Sequence, residues 1–395
     1  MSAILYYTFL IISLVGIAIW IDRYLETHRS VAKDPKLNID SYTQHSDSLP
    51  FISVLIPALN EEKNIGTCLS SLMNQQYPHF EVIVINDRST DNTRSIVEDF
   101  QKKYSNITLI NNDQLHEGWS GKNYALNKGV AHAKGQWYLF TDADTYHHPQ
   151  SLFQSTSYVI DKKVDMLTLI PYLEGISFWE KLLQPIAGAI LLVSFPIKYS
   201  NNPKKKTAFA NGQYILINKD VYHSFGGHEA LKSCLLEDIA MAKIVKTSGY
   251  SLNVAVSPDV YKTRMYKNFK EIWNGWTRIF HIIYDKRISL IFLNALLLFV
   301  FSLLPLFLML FCIIFFIITR EIDIPILILL VVTIIEIIFI RLTTFRFYRL
   351  AKMNPYISLL NPLGCIIMLG VLMNAILKTF SKKGMTWRGT TYQKV

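Results

Sequence analysis

From Ile288 to Thr319 the chain runs for roughly 30 residues without a charged side chain, a stretch that rises about 48 Å as a helix. That length suits one tilted membrane crossing and is too short for two plus a turn, with a kink expected at Pro305. Other apolar runs follow the same logic. Ala3 to Trp20 is long for a signal-peptide core and lacks a small-residue cleavage site, so it reads as a retained anchor. Ile324 to Ile340 is a second C-terminal run with Glu336 inside it. Tyr356 to Leu377 is a third, broken by Pro355, Pro362, Gly364 and Gly370, and 355–377 is expected to re-enter or lie in the interface, with a full span the alternative. Phe178 to Ile197 carries Glu180, Lys181, Pro185 and Pro196 and reads as an interfacial helix. The expected organisation is an anchor at 1–22, a linker at 23–49, a soluble domain at 50–287 that includes segment 178–197, a membrane block at 288–377 and a basic tail at 378–395.

Charge sets the expected orientation. Arg23, Arg29, Lys33 and Lys36 follow Ala3–Trp20, Arg341, Arg346, Arg349 and Lys352 follow Ile324–Ile340, and Lys378, Lys382, Lys383 and Arg388 close the chain. By the excess of positive charge on cytoplasmic loops, the soluble domain and the tail face the cytosol, in a multi-pass protein of the cell (inner) membrane. The formal charge of +10, from 40 Lys+Arg and 30 Asp+Glu, suits membrane lipid and phosphorylated substrates. No zinc-finger spacing or basic-aromatic motif accompanies it, so no nucleic-acid partner is expected. Four widely spaced cysteines indicate neither a disulfide framework nor a zinc site.

Between about 50 and 260 the periodicity changes to short β-rich runs alternating with helical stretches. Strands are expected at Ile52–Ile56, Val82–Ile85, Ile107–Ile110 and Trp137–Phe140, with Asn60 and Asp91 capping two helices and a third starting near Gly121-Lys122. This order gives an α/β, Rossmann-like, mostly parallel sheet that binds ligands at the carboxyl ends of its strands. Asn60, Glu61 and Glu62 follow the first strand, Asp87 the second, and Asp142 with Asp144 the fourth. No dinucleotide fingerprint, P-loop or nucleophile elbow is present. Two acids two residues apart just past a strand end can instead converge on one hard divalent cation, Mg2+ or Mn2+, whose coordination a pyrophosphate completes. A solvated acidic turn is the plain alternative.

Four motifs in order distinguish the two: Ile56-Pro57-Ala58-Leu59-Asn60-Glu61-Glu62, Asn86-Asp87-Arg88-Ser89-Thr90-Asp91, Asp142-Ala143-Asp144 and Glu237-Asp238. Together they resemble the family 2 glycosyltransferases of GT-A fold. The resemblance implies that Pro57, Ala58, Asn60 and Glu62 line a nucleotide pocket, that Asp87 reads a uracil edge, and that Asp142 and Asp144 hold ribose and metal. It makes Asp238 the general base of an inverting displacement and places Gly226, Gly227 and His228 beside the acceptor, with a structural or surface role the plainer reading of His228. Lys122, at a helix start, offers a cation to the donor phosphates. Trp276 and Arg278, just ahead of the long apolar run, are expected at the acceptor sugar and the pyrophosphate respectively, or as interfacial anchors. Here tryptophan precedes arginine, the reverse of the order in processive synthases. The tail Trp387-Arg388-Gly389-Thr390-Thr391-Tyr392 resembles that of lipid-linked members, notably carotenoid-acid glycosyltransferases, and is expected to fold over the donor site. The implied activity is transfer of one hexose from a UDP-sugar donor to a lipophilic acceptor in the bilayer. An exopolysaccharide synthase would need more spans, and a scaffold or transporter would not need the four acids in order.

Overall fold

The computed structural model describes residues 3–33, 35–43, 49–284, 287–380, 385–387 and 390–392. The chain divides into two compact units. One comprises Asp34–Glu174, Leu192–Met265 and Lys382–Val395, the other Met1–Lys33, Gly175–Leu191 and Tyr266–Ser381. The boundary after Met265 groups Trp276 and Arg278 with the long apolar helices, whereas the sequence had grouped them with the soluble domain.

The first unit is built on ten strands: β1 Ile52–Ala58, β2 Phe80–Asp87, β3 Ile107–Asn112, β4 Trp137–Phe140, β5 Thr145–His147, β6 Met166–Ile170, β7 Tyr172–Leu173, β8 Ile215–Asn218, β9 Leu252–Val256 and β10 Tyr261–Thr263. Seven of them form one sheet in the order β3-β2-β1-β4-β8-β6-β9. Only β8 runs antiparallel to its neighbours β4 and β6. A small sheet, β5-β10-β7, stands beside it. Strand β1 is buried along its whole length, as expected for a parallel strand covered on both faces. Register then fixes the edge that matters: Ala58 pairs with Asn86, and Asp87 with Asn112, so the first three strands end together.

Two local expectations are corrected. Asn60 does not cap a helix; it sits in a left-handed conformation (φ 56°) and the helix Ile65–Met73 begins after Asn64. Asp91 comes closer, accepting from the Thr93 amide at 3.0 Å at the start of helix Thr93–Lys103. Part of the expected linker is also structured. The first helix runs on from Ala3 to Lys33, and Pro35–Leu37 then adds to the sheet beside Val256, with Leu37 fully buried.

The second unit holds most of the apolar helical residues, the segment Phe178–Ser200 belonging to it only as far as Leu191. Among the described residues five helical segments are long and apolar enough to cross a membrane: Ala3–Arg29, Phe178–Ser200, Ile288–Thr319, Ile324–Leu350 and Pro355–Phe380. The run from Ile288 is one helix with a π-turn at Phe299–Leu303, immediately before Pro305. Proline has no N–H to return to the Phe301 carbonyl, and the Trp20 indole donates to that oxygen at 2.7 Å instead. The expected interruption of the last run is not seen. Pro355 opens a 3-10 turn, Pro362 occupies the first turn of helix Asn361–Phe380, where a missing N–H costs little, and the helix continues through both glycines. Gly364 faces Leu182 and Ile186, and Gly370 lies 2.7 Å, at a notional Cβ, from the Trp273 ring. The glycines therefore permit close helix packing and do not break the helix.

Candidate active site

The strand ends of the first unit bring together residues far apart in sequence. Lys122 lies in the first turn of helix Gly121–Val130, whose preceding Ser120 accepts from the Asn123 amide. Its ammonium contacts Asp142 Oδ1 and Glu237 Oε1, each at 2.8 Å. Burial acts to depress this lysine, but the two carboxylates outweigh it and hold it protonated well above its usual range. Asp142 follows β4, and Glu237 with Asp238 opens the helix Glu237–Thr247. The lysine thus joins three segments of chain at one edge of the sheet.

Asp238 is fixed at both oxygens: Oδ2 accepts from the Gly212 amide at 2.9 Å and Oδ1 from the Ile239 amide at 2.8 Å. Burial, and then the like charge of Glu237, push its carboxyl up to about 7; Lys122 and the two amides act in the opposite direction. A notional Cβ on Gly212 would lie 3.1 Å from Lys122 Nζ, 3.2 Å from Asp238 Oδ2 and 3.4 Å from Glu237 Oε1. A larger residue at 212 would therefore press the charged groups aside by a few tenths of an ångström. A carboxyl poised near neutrality beside a buried cation is suited to taking up a proton.

The remaining expected site residues fall into place around two loops. Pro57 and Ala58 are buried at the end of β1. Asn60 and Glu62 tie the first loop to the second: the Thr90 amide donates to Asn60 Oδ1 at 2.8 Å, and the Asn92 side chain to Glu62 Oε2 at 3.1 Å. Asp87 is 4% exposed and is gripped by Arg88, with Nε to Oδ1 and Nη2 to Oδ2 both at 2.9 Å, while Asn112 Nδ2 donates to Oδ1 at 2.7 Å. Asp144 is half-buried two residues beyond Asp142.

Gly226 and Gly227 adopt positive φ (86° and 56°), and a Cβ at Gly227 would strike the Tyr222 ring. His228 is a correction. It is 1% exposed, its amide donates to the Tyr222 hydroxyl at 2.9 Å, and its Nδ1 lies 2.7 Å from the same oxygen. Burial, and then the charge of Lys122, push the imidazole down to about 3, so it packs as a neutral ring that pins the glycine loop. Trp276 is a second correction: at 2% exposure it stacks on Phe280, ring centroids 5.5 Å apart, and presents no open face to a sugar. Arg278 is half-buried on the same helix, Phe269–Ile283. The tail expectation lies mostly outside the described residues, of which only the short strands Met385–Trp387 and Thr390–Tyr392, paired antiparallel, belong to it.

Among the described residues no three His, Cys, Asp or Glu side chains converge to hold a metal. A hard divalent cation held by one or two carboxylates and completed by substrate phosphate fits Asp142 and Asp144, both oxygen donors at a strand end. Sequence reasoning named Glu237 only within the Glu237-Asp238 motif and Gly212 only as a companion of the Gly226-Gly227 loop. Their signal was only adjacency to Asp238 and to the Tyr214 strand, and the fold was needed to place both against Lys122.

The mostly parallel sheet, with acids at its carboxyl edge and the single antiparallel strand β8 within it, is a GT-A-like α/β fold. Residues 53–226 match the model of Glycosyl transferase family 2. A 4,4'-diaponeurosporenoate glycosyltransferase of Staphylococcus aureus (strain USA300) is 27% identical over 230 residues, 58% of this chain and 60% of that protein. The chain thus matches about three-fifths of the length of this curated relative. The mannosyltransferase PcManGT from Pyrobaculum calidifontis, solved in complex with GDP-Man and Mn2+, shares the fold at a TM-score of 0.57, with 17% identity over 93% of this chain and 98% of that one.

Proposed function

We propose that this protein is a membrane-attached inverting glycosyltransferase that moves a hexose, glucose in the first instance, from a UDP-sugar to a lipophilic acceptor such as a carotenoid acid. The observation that carries the reading is the Asp238 carboxyl, held near neutrality by burial and Glu237 while Lys122 links it to Asp142. The family 2 match supports a nucleotide-sugar donor, and the Staphylococcus aureus relative supports the acceptor class.

In this reading Asp238 accepts the acceptor's proton as the acceptor oxygen attacks the anomeric carbon from the side opposite the nucleotide. The Gly212 and Ile239 amides hold its oxygens in place, so little reorganisation accompanies proton transfer. Lys122 keeps Glu237 and Asp142 from repelling an incoming diphosphate. Asp142 and Asp144 would hold a divalent cation, which supplies positive charge to the departing diphosphate. The five apolar helical segments would keep the enzyme where an insoluble acceptor is concentrated and oriented.

The test is incubation of membranes containing the protein with labelled UDP-glucose and lipid extract, followed by mass analysis of the product. Asp238→Asn should cut turnover by roughly a hundredfold or more with donor affinity little changed. An Asp238→Asn enzyme with near wild-type turnover would remove this residue as the base.

A further inference from the structure

Asp87 is the buried acid at the shared edge of the first three strands, and it is already heavily bonded. A carboxylate offers about four acceptor positions. Arg88 Nε and Asn112 Nδ2 fill the two on Oδ1, and Arg88 Nη2 takes one of the two on Oδ2. One position remains, on Oδ2, with a guanidinium beside it. Arg88 holds this grip from a left-handed backbone conformation, φ 59°, which favours glycine. The strained residue therefore secures the two-toothed contact.

We infer that Arg88 sets the base preference of the nucleotide site, by leaving Asp87 room for a single N–H donor flanked by carbonyl oxygens. The inference rests on the proposed nucleotide-sugar reading and deepens it. A uracil edge presents one imino N–H between two carbonyl oxygens, which suits a single acceptor next to a cation. A guanine edge presents two adjacent N–H donors, N1 and N2, which need two acceptors. Against Asp87 as it stands the second donor is left without a partner in a buried position, and the guanidinium opposes it further. Removing the Arg88 side chain reopens both carboxylate oxygens, and a guanine can then engage them side by side.

The experiment measures binding of UDP and GDP to the full-length protein in detergent with Mn2+ present, by titration calorimetry. Wild type should prefer UDP by about tenfold or more, the size expected for one unpaired buried donor. Arg88→Gly relaxes the backbone and should leave the fold intact, checked by its melting curve. It should lower the UDP:GDP affinity ratio at least about fivefold, mainly through tighter GDP binding. Arg88→Lys keeps the charge but loses the fork and should recover only part of the ratio. An unchanged ratio in Arg88→Gly, or full recovery with lysine, overturns the inference while leaving the transferase reading in place. Wild type that binds neither nucleotide and hydrolyses no sugar nucleotide refutes the transferase reading, and the inference with it.

Discussion

If Glu237 holds the Asp238 carboxyl up, removing its charge should move the pH profile of catalysis in a known direction. The general base works deprotonated, so turnover should rise with pH and level off above about 7, the value to which burial and Glu237 push Asp238. Glu237 Oε1 and Asp238 Oδ2 both lie within 3.4 Å of one point, the notional Gly212 Cβ, and so stand no more than about 7 Å apart. At that separation, with an effective dielectric of about 20, their repulsion is about 2 kcal/mol, or between one and two pK units. Glu237→Gln abolishes the repulsion and leaves Lys122 with Asp142 as its remaining close carboxylate partner. Both effects favour ionised Asp238, so the acid limb should move down to about 5–6. The assay is donor hydrolysis by the purified protein across pH 5–9, because water as acceptor always needs the base. The plateau should also fall, since a weaker base removes a proton less readily. An acid limb that stays at about 7, or moves upward, would refute the assignment of Glu237 as the cause and leave burial alone.

Gly212→Ala should lower turnover roughly tenfold or more with little change in melting temperature, because its methyl would press on Lys122 Nζ and Asp238 Oδ2 at the centre of the cluster. Steady-state kinetics beside a melting curve separates the two effects. Asp144→Asn should weaken donor binding in the presence of Mn2+ but not in its absence, measured by calorimetry; equal loss in both conditions would argue against metal ligation. Trp20→Phe should lower stability by about 1 kcal/mol through loss of the bond to the Phe301 carbonyl, and the loss should shrink in a Pro305→Ala background, where that carbonyl regains a helical donor. Thermal melts of the four proteins in detergent complete the cycle.

The strands were legible because buried parallel strands are written as uninterrupted apolar runs; β1 and β2 exceed the expected limits by only two residues at an end. The four acidic motifs were legible as motifs, but their company was not. Nothing local joins Lys122 to Glu237 across more than a hundred residues; the sheet order and the antiparallel β8 do. The sequence left His228 and Trp276 between a packing and a ligand-binding role for one reason. Both are polar-capable rings near glycines, and burial, which decides whether such a ring meets a ligand or a core, depends on tertiary packing. Asn60 was misread because asparagine serves equally as a cap and as a left-handed loop residue. Arg88 became informative only once its grip on Asp87 was visible.

The apolar helices teach the converse lesson about polar residues in hydrophobic runs. Sequence treats such residues as interruptions, yet here many serve backbone carbonyls of another segment. Trp20 donates to Phe301 beside Pro305, Tyr348 donates its hydroxyl to Leu182 at 2.8 Å in a helix that contains Pro185, and Arg341 donates to Ser358 and Leu359 at the end of the 3-10 turn. Asn374 donates to the Thr277 hydroxyl at 3.1 Å, joining two helices through side chains alone. In an apolar medium a carbonyl that proline or a turn leaves unserved has no water to turn to, so a donor from a neighbouring helix both meets that need and fixes the pair in register. At Phe301 and Ser358, each four residues before a proline, the missing N–H leaves the acceptor that a partner's side chain uses. Gly16 follows the same logic by absence, since any Cβ there would collide with the buried carboxyl of Glu336 on the helix against which it packs.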